Sequence, residues 1–264
     1  MSFPLASDAN AGSVVLVTGG GTGIGRATAL AFARTGASVA ICGRRAEPLE
    51  AVRAEVEAVG VPCLPVPCDV REPEQVDALL RDVLDRFERV DVVVNNAGGQ
   101  FSAPAEEIGA KGWRAVHRLT VDAAWEVTRE AASRSMIPRR RGLVVFIGFS
   151  PRRGIPGFAH ASAARASLES LAAGLALEWS RYGIRSVCVV PGNIDTAALA
   201  AYGDDELEAA RRQVPLGRLG RPEEIAAVIA FLASEGGGYV TGTSVVVDGG
   251  VDAWGQGEPP PARR

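Results

Sequence analysis

The chain has 264 residues, 47% hydrophobic and 22% charged, a composition suited to one α/β domain with a substantial core. Its 28 basic and 31 acidic residues leave a net charge of −3, without the basic excess of a general nucleic-acid binder. No apolar run approaches the roughly 20 residues of a membrane span, and the opening residues lack a signal peptide's basic start and apolar stretch, so a cytoplasmic location is expected.

Residues 1–12 read as a disordered start. A β-branched run at 14–18 then enters Gly19-Gly20-Gly21-Thr22-Gly23-Ile24-Gly25, and a helical pattern follows at 23–34. The next strand, 38–42, ends in Cys42-Gly43-Arg44-Arg45 ahead of a helix at 48–59. Strand 63–66 leads to Cys68-Asp69-Val70 and a helix at 74–87; strand 92–94 leads to Asn95-Asn96-Ala97-Gly98 and a helix at 113–136. Strand 143–147 precedes Ser150 and a helix at 162–181, and strand 186–190 precedes Pro191-Gly192-Asn193-Ile194. Residues 193–219, locally helical at 204–213, break the rhythm where a substrate lid would sit. A helix at 222–234, a strand at 244–247 and a disordered tail at 253–264 complete the chain. Short apolar strands alternating with helices predict βαβ units: one doubly wound Rossmann domain over residues 13–252, with a seven-stranded, mainly parallel sheet and helices on both faces.

Five glycines in seven residues, between a strand and a helix, let the backbone approach a pyrophosphate while the helix N-terminus offers free N–H groups. Gly19, Gly21, Thr22, Gly23 and Ile24 are therefore candidate cofactor contacts. A site that prefers NAD carries an acid at the end of the second strand; here Arg44 and Arg45 stand instead, and a guanidinium suits a 2′-phosphate, so NADPH/NADP+ is expected. The alternative for either arginine is a solvated position at a helix start. Four cysteines without CxxC spacing read as buried reduced thiols, and two histidines exclude a His-rich metal site, so no metal is expected.

In order and spacing, Thr18-Gly19…Gly23-Ile24-Gly25, Cys68-Asp69-Val70, Asn95-Asn96-Ala97-Gly98, Pro191-Gly192-Asn193-Ile194-Asp195-Thr196 and Thr241-Gly242…Val247-Asp248-Gly249-Gly250 resemble the short-chain dehydrogenase/reductase family over nearly the whole chain. Gly98-Gly99-Gln100-Phe101, Lys111-Gly112-Trp113 and His160…Ala163-Ala164-Arg165-Ala166 are similar to the branch of peroxisomal trans-2-enoyl-CoA reductase and the 2,4-dienoyl-CoA reductases. The resemblance implies a homotetramer or homodimer. It also implies that Asp69 and Val70 meet adenine, that Asn95, Ala97 and Gly98 line the cleft, and that Pro191, Gly192, Ile194 and Thr196 hold the nicotinamide end. Asn95-Asn96 can equally be a turn.

The family's catalytic set is altered. Registering Leu168-Glu169-Ser170-Leu171 and Ala176-Leu177-Glu178-Trp179 on the family's helix puts Ala161 at the tyrosine position and Arg165 at the lysine position. The serine position falls on Gly148 or Phe149, beside Ser150, and the asparagine position on Thr120. Arg165 keeps a cation for ribose and for a developing enolate, although 27 arginines against one lysine also permit composition drift. His160 can transfer protons near neutrality or serve packing. Ser150 can polarise a carbonyl or cap the turn before Pro151. Tyr202 in the lid can donate a proton or cover the substrate. Arg152 and Arg153 can attract an anionic substrate such as a CoA thioester, or lie solvated. The leading expectation is an NADPH-dependent reductase of an activated double bond, most plainly the C=C of an enoyl thioester. The alternatives are ketone or imine reduction, non-redox chemistry by a dehydratase, cyclase or epimerase, and a non-catalytic NADPH-binding protein.

Overall fold

The computed structural model describes residues 4–152, 154–201 and 203–254. Seven strands, β1 (Val14–Thr18), β2 (Ser38–Gly43), β3 (Cys63–Pro67), β4 (Val92–Asn95), β5 (Gly142–Ile147), β6 (Ile184–Pro191) and β7 (Ser244–Val247), form one sheet in the order β3-β2-β1-β4-β5-β6-β7. All six strand pairings are parallel, in keeping with the mainly parallel sheet expected. Valine-rich strands such as β1 and β4 are buried throughout, because helices cover both faces.

One face packs against α3 (Pro73–Phe87), α5 (Ala123–Ala131) and α7 (Ala159–Trp179), through residues such as Leu79, Leu80, Val127 and Leu168. The other packs against α1 (Gly23–Arg34), α2 (Ala46–Glu57) and α10 (Pro222–Ala233), through Phe32, Leu49 and Ile229. The chain reverses its winding between β1 and β4, which opens a crevice at the carboxyl ends of these strands.

Three expectations need correction. Within residues 1–12, Asn10 is buried rather than disordered: its Nδ2 donates to Thr35 Oγ1 at 3.0 Å and to the Ala230 carbonyl at 3.2 Å. Its partners lie 25 and 220 residues away, so no local pattern announces it. At the other end, Ala253 and Trp254 close a short helix, α11 (Val251–Trp254), held because Asp252 Oδ1 accepts the Arg152 N–H at 2.8 Å. Finally, the helix expected at 113–136 runs from α4 (Ala110–His117) through a π turn (Arg118–Asp122), α5 and a second π turn (Ala132–Met136) into α6 (Ile137–Arg139). A π turn widens the ladder to i→i+5 bonds and marks functional sites more often than chance. The stretch 193–219 holds α8 (Ala197–Ala200) and α9 (Asp204–Arg212), tied back by Asn193 Nδ2 donating to the Ala210 carbonyl at 2.9 Å.

Candidate active site

The turn after β1 and the turn after β4 are sewn together by two side chains. Thr18 Oγ1 accepts the backbone N–H of Asn96 at 3.1 Å and of Ala97 at 2.9 Å. Asn96 Nδ2 donates in return to the carbonyls of Thr18 and Gly19, at 3.0 and 3.2 Å. Gly25 is obligatory in the first turn of α1, because a Cβ there would strike the Gly19 carbonyl. The result is a glycine cradle with the start of α1 aimed into it, lining a cavity of about 360 Å³.

Gly19, Gly21, Thr22, Gly23, Ile24, Arg44, Arg45, Asp69, Val70, Ala97, Gly98 and Thr196 all stand on the cavity wall. Sequence reasoning left Asn96, Cys68, Leu119 and Ala198 off that wall. Asn96 was legible, since it sits in the same Asn-Asn-Ala-Gly run as Asn95; Leu119 is brought in by the π turn, which has no sequence signature.

At the far end of the cavity, Arg44 and Arg45 are exposed and form no ion pair among the described residues. Asp69 is held by Arg71, whose Nε donates to Oδ1 at 2.9 Å, and the Arg71 guanidinium pulls the Asp69 carboxyl down to about 2. Arg44 lowers it further through space. Beside Asp69, the thiols of Cys68 and Cys42 interact; the Cys42 S–H holds the Cys68 thiol below its ordinary value, while Cys42 itself is pushed up.

Five candidate cofactor contacts are not part of this wall: Arg165, described below, and four others. Asn95 is 3% exposed and turns its Nδ2 onto Thr128 Oγ1 at 2.8 Å, because β4 alternates and places this side chain over α5. Pro191 ends β6 in the core, Gly192 lies flat on the Asp248 backbone, and Ile194 is buried beside its bridge to Gly220. Among these, the turn after β6 reaches the cavity through Thr196, whose hydroxyl caps α8 at Leu199 N.

At the reactive end expected from the sequence, Ala161 is 1% exposed and packed with Val116 and Ala164. Arg165 donates from Nη1 to the Ile147 carbonyl and lies directly on Gly98, where any Cβ would collide with its guanidinium. It forms no ion pair among the described residues, and burial lowers its pKa. Thr120 falls in the π turn, 1% exposed, with no partner for its hydroxyl among the described residues.

Two candidates are placed where the structural one of their two readings applies. Ser150 is 1% exposed and donates its hydroxyl to Asp248 Oδ2, which also accepts Asp252 N at 2.7 Å; the proton needed to polarise a carbonyl is already committed. His160 is fully buried, its ring 4.3 Å from that of Phe101 and both ring nitrogens without partners among the described residues. Burial first, then the charge of His117, lowers its pKa, so it is held neutral under Phe101 and is not part of the cavity wall. Arg152 is likewise spoken for, paired with Asp252 at 3.0 Å and Glu169 at 3.6 Å. Tyr202 and Arg153 lie outside the described residues.

A family profile described as Enoyl-(Acyl carrier protein) reductase matches residues 19–252. A Bacillus subtilis (strain 168) protein described as a probable 2,4-dienoyl-CoA reductase is 35% identical over 241 residues, covering 89% of this chain and 95% of that one. Among solved structures, a short-chain type dehydrogenase/reductase from Mycobacterium marinum superposes with a TM-score of 0.88 at 30% identity, covering 92% of this chain and 96% of that one. A structure from Beutenbergia cavernae with NADP bound at low occupancy gives 0.87 at 33% identity, covering 94% of this chain and all of that one. Together with the seven-stranded parallel sheet and the glycine cradle, these similarities make the chain an oxidoreductase of the short-chain dehydrogenase/reductase family, of the enoyl-(acyl carrier protein) reductase-like kind.

Proposed function

We propose that this enzyme uses NADPH to reduce a C=C bond conjugated to a thioester carbonyl, on an enoyl-CoA or a related carrier. The observation that carries this reading is the Arg165 guanidinium lying on Gly98 with a buried Ala161 one turn before it; the register read from the sequence sets these two where the family has lysine and tyrosine. Reduction of a carbonyl produces an alkoxide that needs an O–H donor at once. Conjugate reduction instead produces an enolate, which a fixed cation stabilises and which solvent can protonate at the α-carbon. Arg165 has the required properties: a guanidinium stays protonated even when burial lowers its pKa, and no carboxylate among the described residues pairs with it.

The cavity's residues fit the dinucleotide. The Gly19–Gly25 cradle and the start of α1 would hold the pyrophosphate, Arg44 and Arg45 the 2′-phosphate, Asp69 and Val70 the adenine, and Ala97, Gly98 and Thr196 the nicotinamide end. NADPH when bound supplies the hydride. Thr120 would hold a water with its unpartnered hydroxyl, and Tyr202 would cover the substrate. We further propose a homotetramer or homodimer working in the cytoplasm, with the stretch 193–219 as the lid.

Incubation with NADPH and a panel of 2-enoyl-CoA and 2,4-dienoyl-CoA esters, ketones and imines tests the reading. Loss of NADPH absorbance with enoyl esters and saturated thioester as product is expected. Turnover confined to ketones would overturn the substrate class; substrate conversion without NADPH consumption would point to non-redox chemistry.

A further inference from the structure

The two histidines of the chain stand in different states. His117 Nδ1 meets the Trp113 carbonyl at 3.0 Å within α4. His160, in the first turn of α7, is 0% exposed, and neither of its ring nitrogens has a partner among the described residues. Enclosing both nitrogens unsatisfied is unfavourable, and an apolar ring of similar size would relieve it. One aromatic side chain covers this imidazole. The Phe101 ring centroid lies 4.3 Å from that of His160, and the same ring sits where a Cβ on Gly112 of α4 would fall. Phe101 is itself 40% exposed, so its ring is a cover wedged between two helices and not part of the core.

The strip that carries Phe101 is tied at its ends. Ala97 N donates to Thr18 Oγ1 at 2.9 Å, and Ala103 N to the Gly157 carbonyl at 3.0 Å. Between them, residues 98–102 are neither helix nor strand and make no hydrogen bond among the described residues, a pattern that lowers the cost of local opening. The strip also borders the cofactor cavity. Gly98 lines that cavity and rests on the Arg165 guanidinium, while Phe101 rests on His160. His160 and Arg165 share α7 at a spacing of about 7.5 Å along its axis. A cation and an unsatisfied neutral imidazole thus lie along one helix under one movable strip.

We propose that His160 is a substrate contact that Phe101 conceals: when the ring swings aside, the imidazole hydrogen-bonds the first amide of the thioester's carrier arm, the group that CoA and acyl carrier protein share. In such an arm a short ethylene spacer separates the thioester sulfur from that amide. A thioester whose carbonyl oxygen meets Arg165 therefore has its amide at about the spacing of the two side chains on α7. A neutral imidazole holds one N–H donor and one lone pair, and an amide can satisfy either. The bond gained offsets the cost of opening the strip. His160 recognises and orients here without releasing a proton. The thioester comes from the function proposed above; the concealment of an unsatisfied imidazole by Phe101 does not depend on it.

The full-length protein is assayed with NADPH and two 2-butenoyl thioesters, one of N-acetylcysteamine, which retains the amide, and one of ethanethiol, which lacks it. The wild-type protein is expected to favour the N-acetylcysteamine ester in kcat/KM by about three- to tenfold, the worth of one neutral hydrogen bond. His160→Phe is expected to bring that ratio to about one, with the Kd of NADPH unchanged and the melting temperature equal or higher. His160→Gln, which keeps an N–H donor, should recover part of the preference. A preference that survives in His160→Phe overturns the proposal. Turnover without amide preference in the wild type overturns the contact alone, whereas turnover of neither ester overturns it together with the function proposed above. The cover is tested without substrate. Diethyl pyrocarbonate should modify His160 in Phe101→Ala at least about tenfold faster than in the wild type, with His117 as the internal reference, and equal rates overturn the concealment.

Discussion

Arg165 carries a charge that no acid neutralises among the described residues, and it rests on Gly98, where a Cβ would collide with its guanidinium. Its replacement by methionine is expected to lower kcat on enoyl esters by roughly 10²–10³, the effect of losing one donor to a developing oxyanion, with a smaller change in KM. Steady-state kinetics check this, and replacement by lysine should recover part of the loss because the charge returns without the planar fork. At the other end of the cavity, Arg44→Ala is expected to weaken NADPH by roughly 1.5–3 kcal/mol, on the order of ten- to a hundredfold in Kd, and leave NADH nearly unaffected. Equal loss for both nucleotides, measured by titration calorimetry, would remove Arg44 from 2′-phosphate recognition. The Asp69–Arg71 pair gives a pH signature. Asp69 titrates near 2 in the folded chain against an ordinary 3.8, so its contribution is present above about pH 4 and lost as pH falls toward 2. Arg71→Ala should flatten that acid limb of the urea midpoint, by no more than about 1 kcal/mol because Arg71 is one-third exposed.

Strands and helices were the most readable part of the sequence. Helix α1 starts and ends where the glycine run and the apolar period place it, and the sheet's seven strands follow from the valine-rich runs. What escaped reading were contacts between distant elements. The π turn at Arg118–Asp122 has no composition cue, yet it brings Leu119 to the cavity and leaves the Thr120 hydroxyl unpartnered. The roles of Ser150 and Asn95 failed for a related reason: residue type suggests a reactive group, but the bonds to Asp248 and Thr128 join residues 98 and 33 positions apart. Burying an unpartnered hydroxyl is unfavourable, so Thr120→Val is expected to leave the melting temperature unchanged or raise it. A fall in kcat in that same variant would support a water-holding role; unchanged kcat would reject it.

At the scale of the molecule, two apolar layers sandwich a sheet that is buried on both faces. Leu80, fully buried in one layer, is expected to lose about 2–5 kcal/mol of stability as alanine, read from urea unfolding. Binding of NADPH at a hundred times its Kd should return about 2.7 kcal/mol by mass action, and a variant that folds but gains nothing has lost its cleft.

The knot in which Ser150 and Asp252 N both bind Asp248 while Asp252 grips Arg152 has a consequence for synthesis. The glycine cradle lies at residues 19–25, but the loop after β5 is anchored by residues 248 and 252, which are synthesised long after it. A chain that stops shortly before residue 248 therefore lacks the anchors of that loop, whatever else of the sheet it builds.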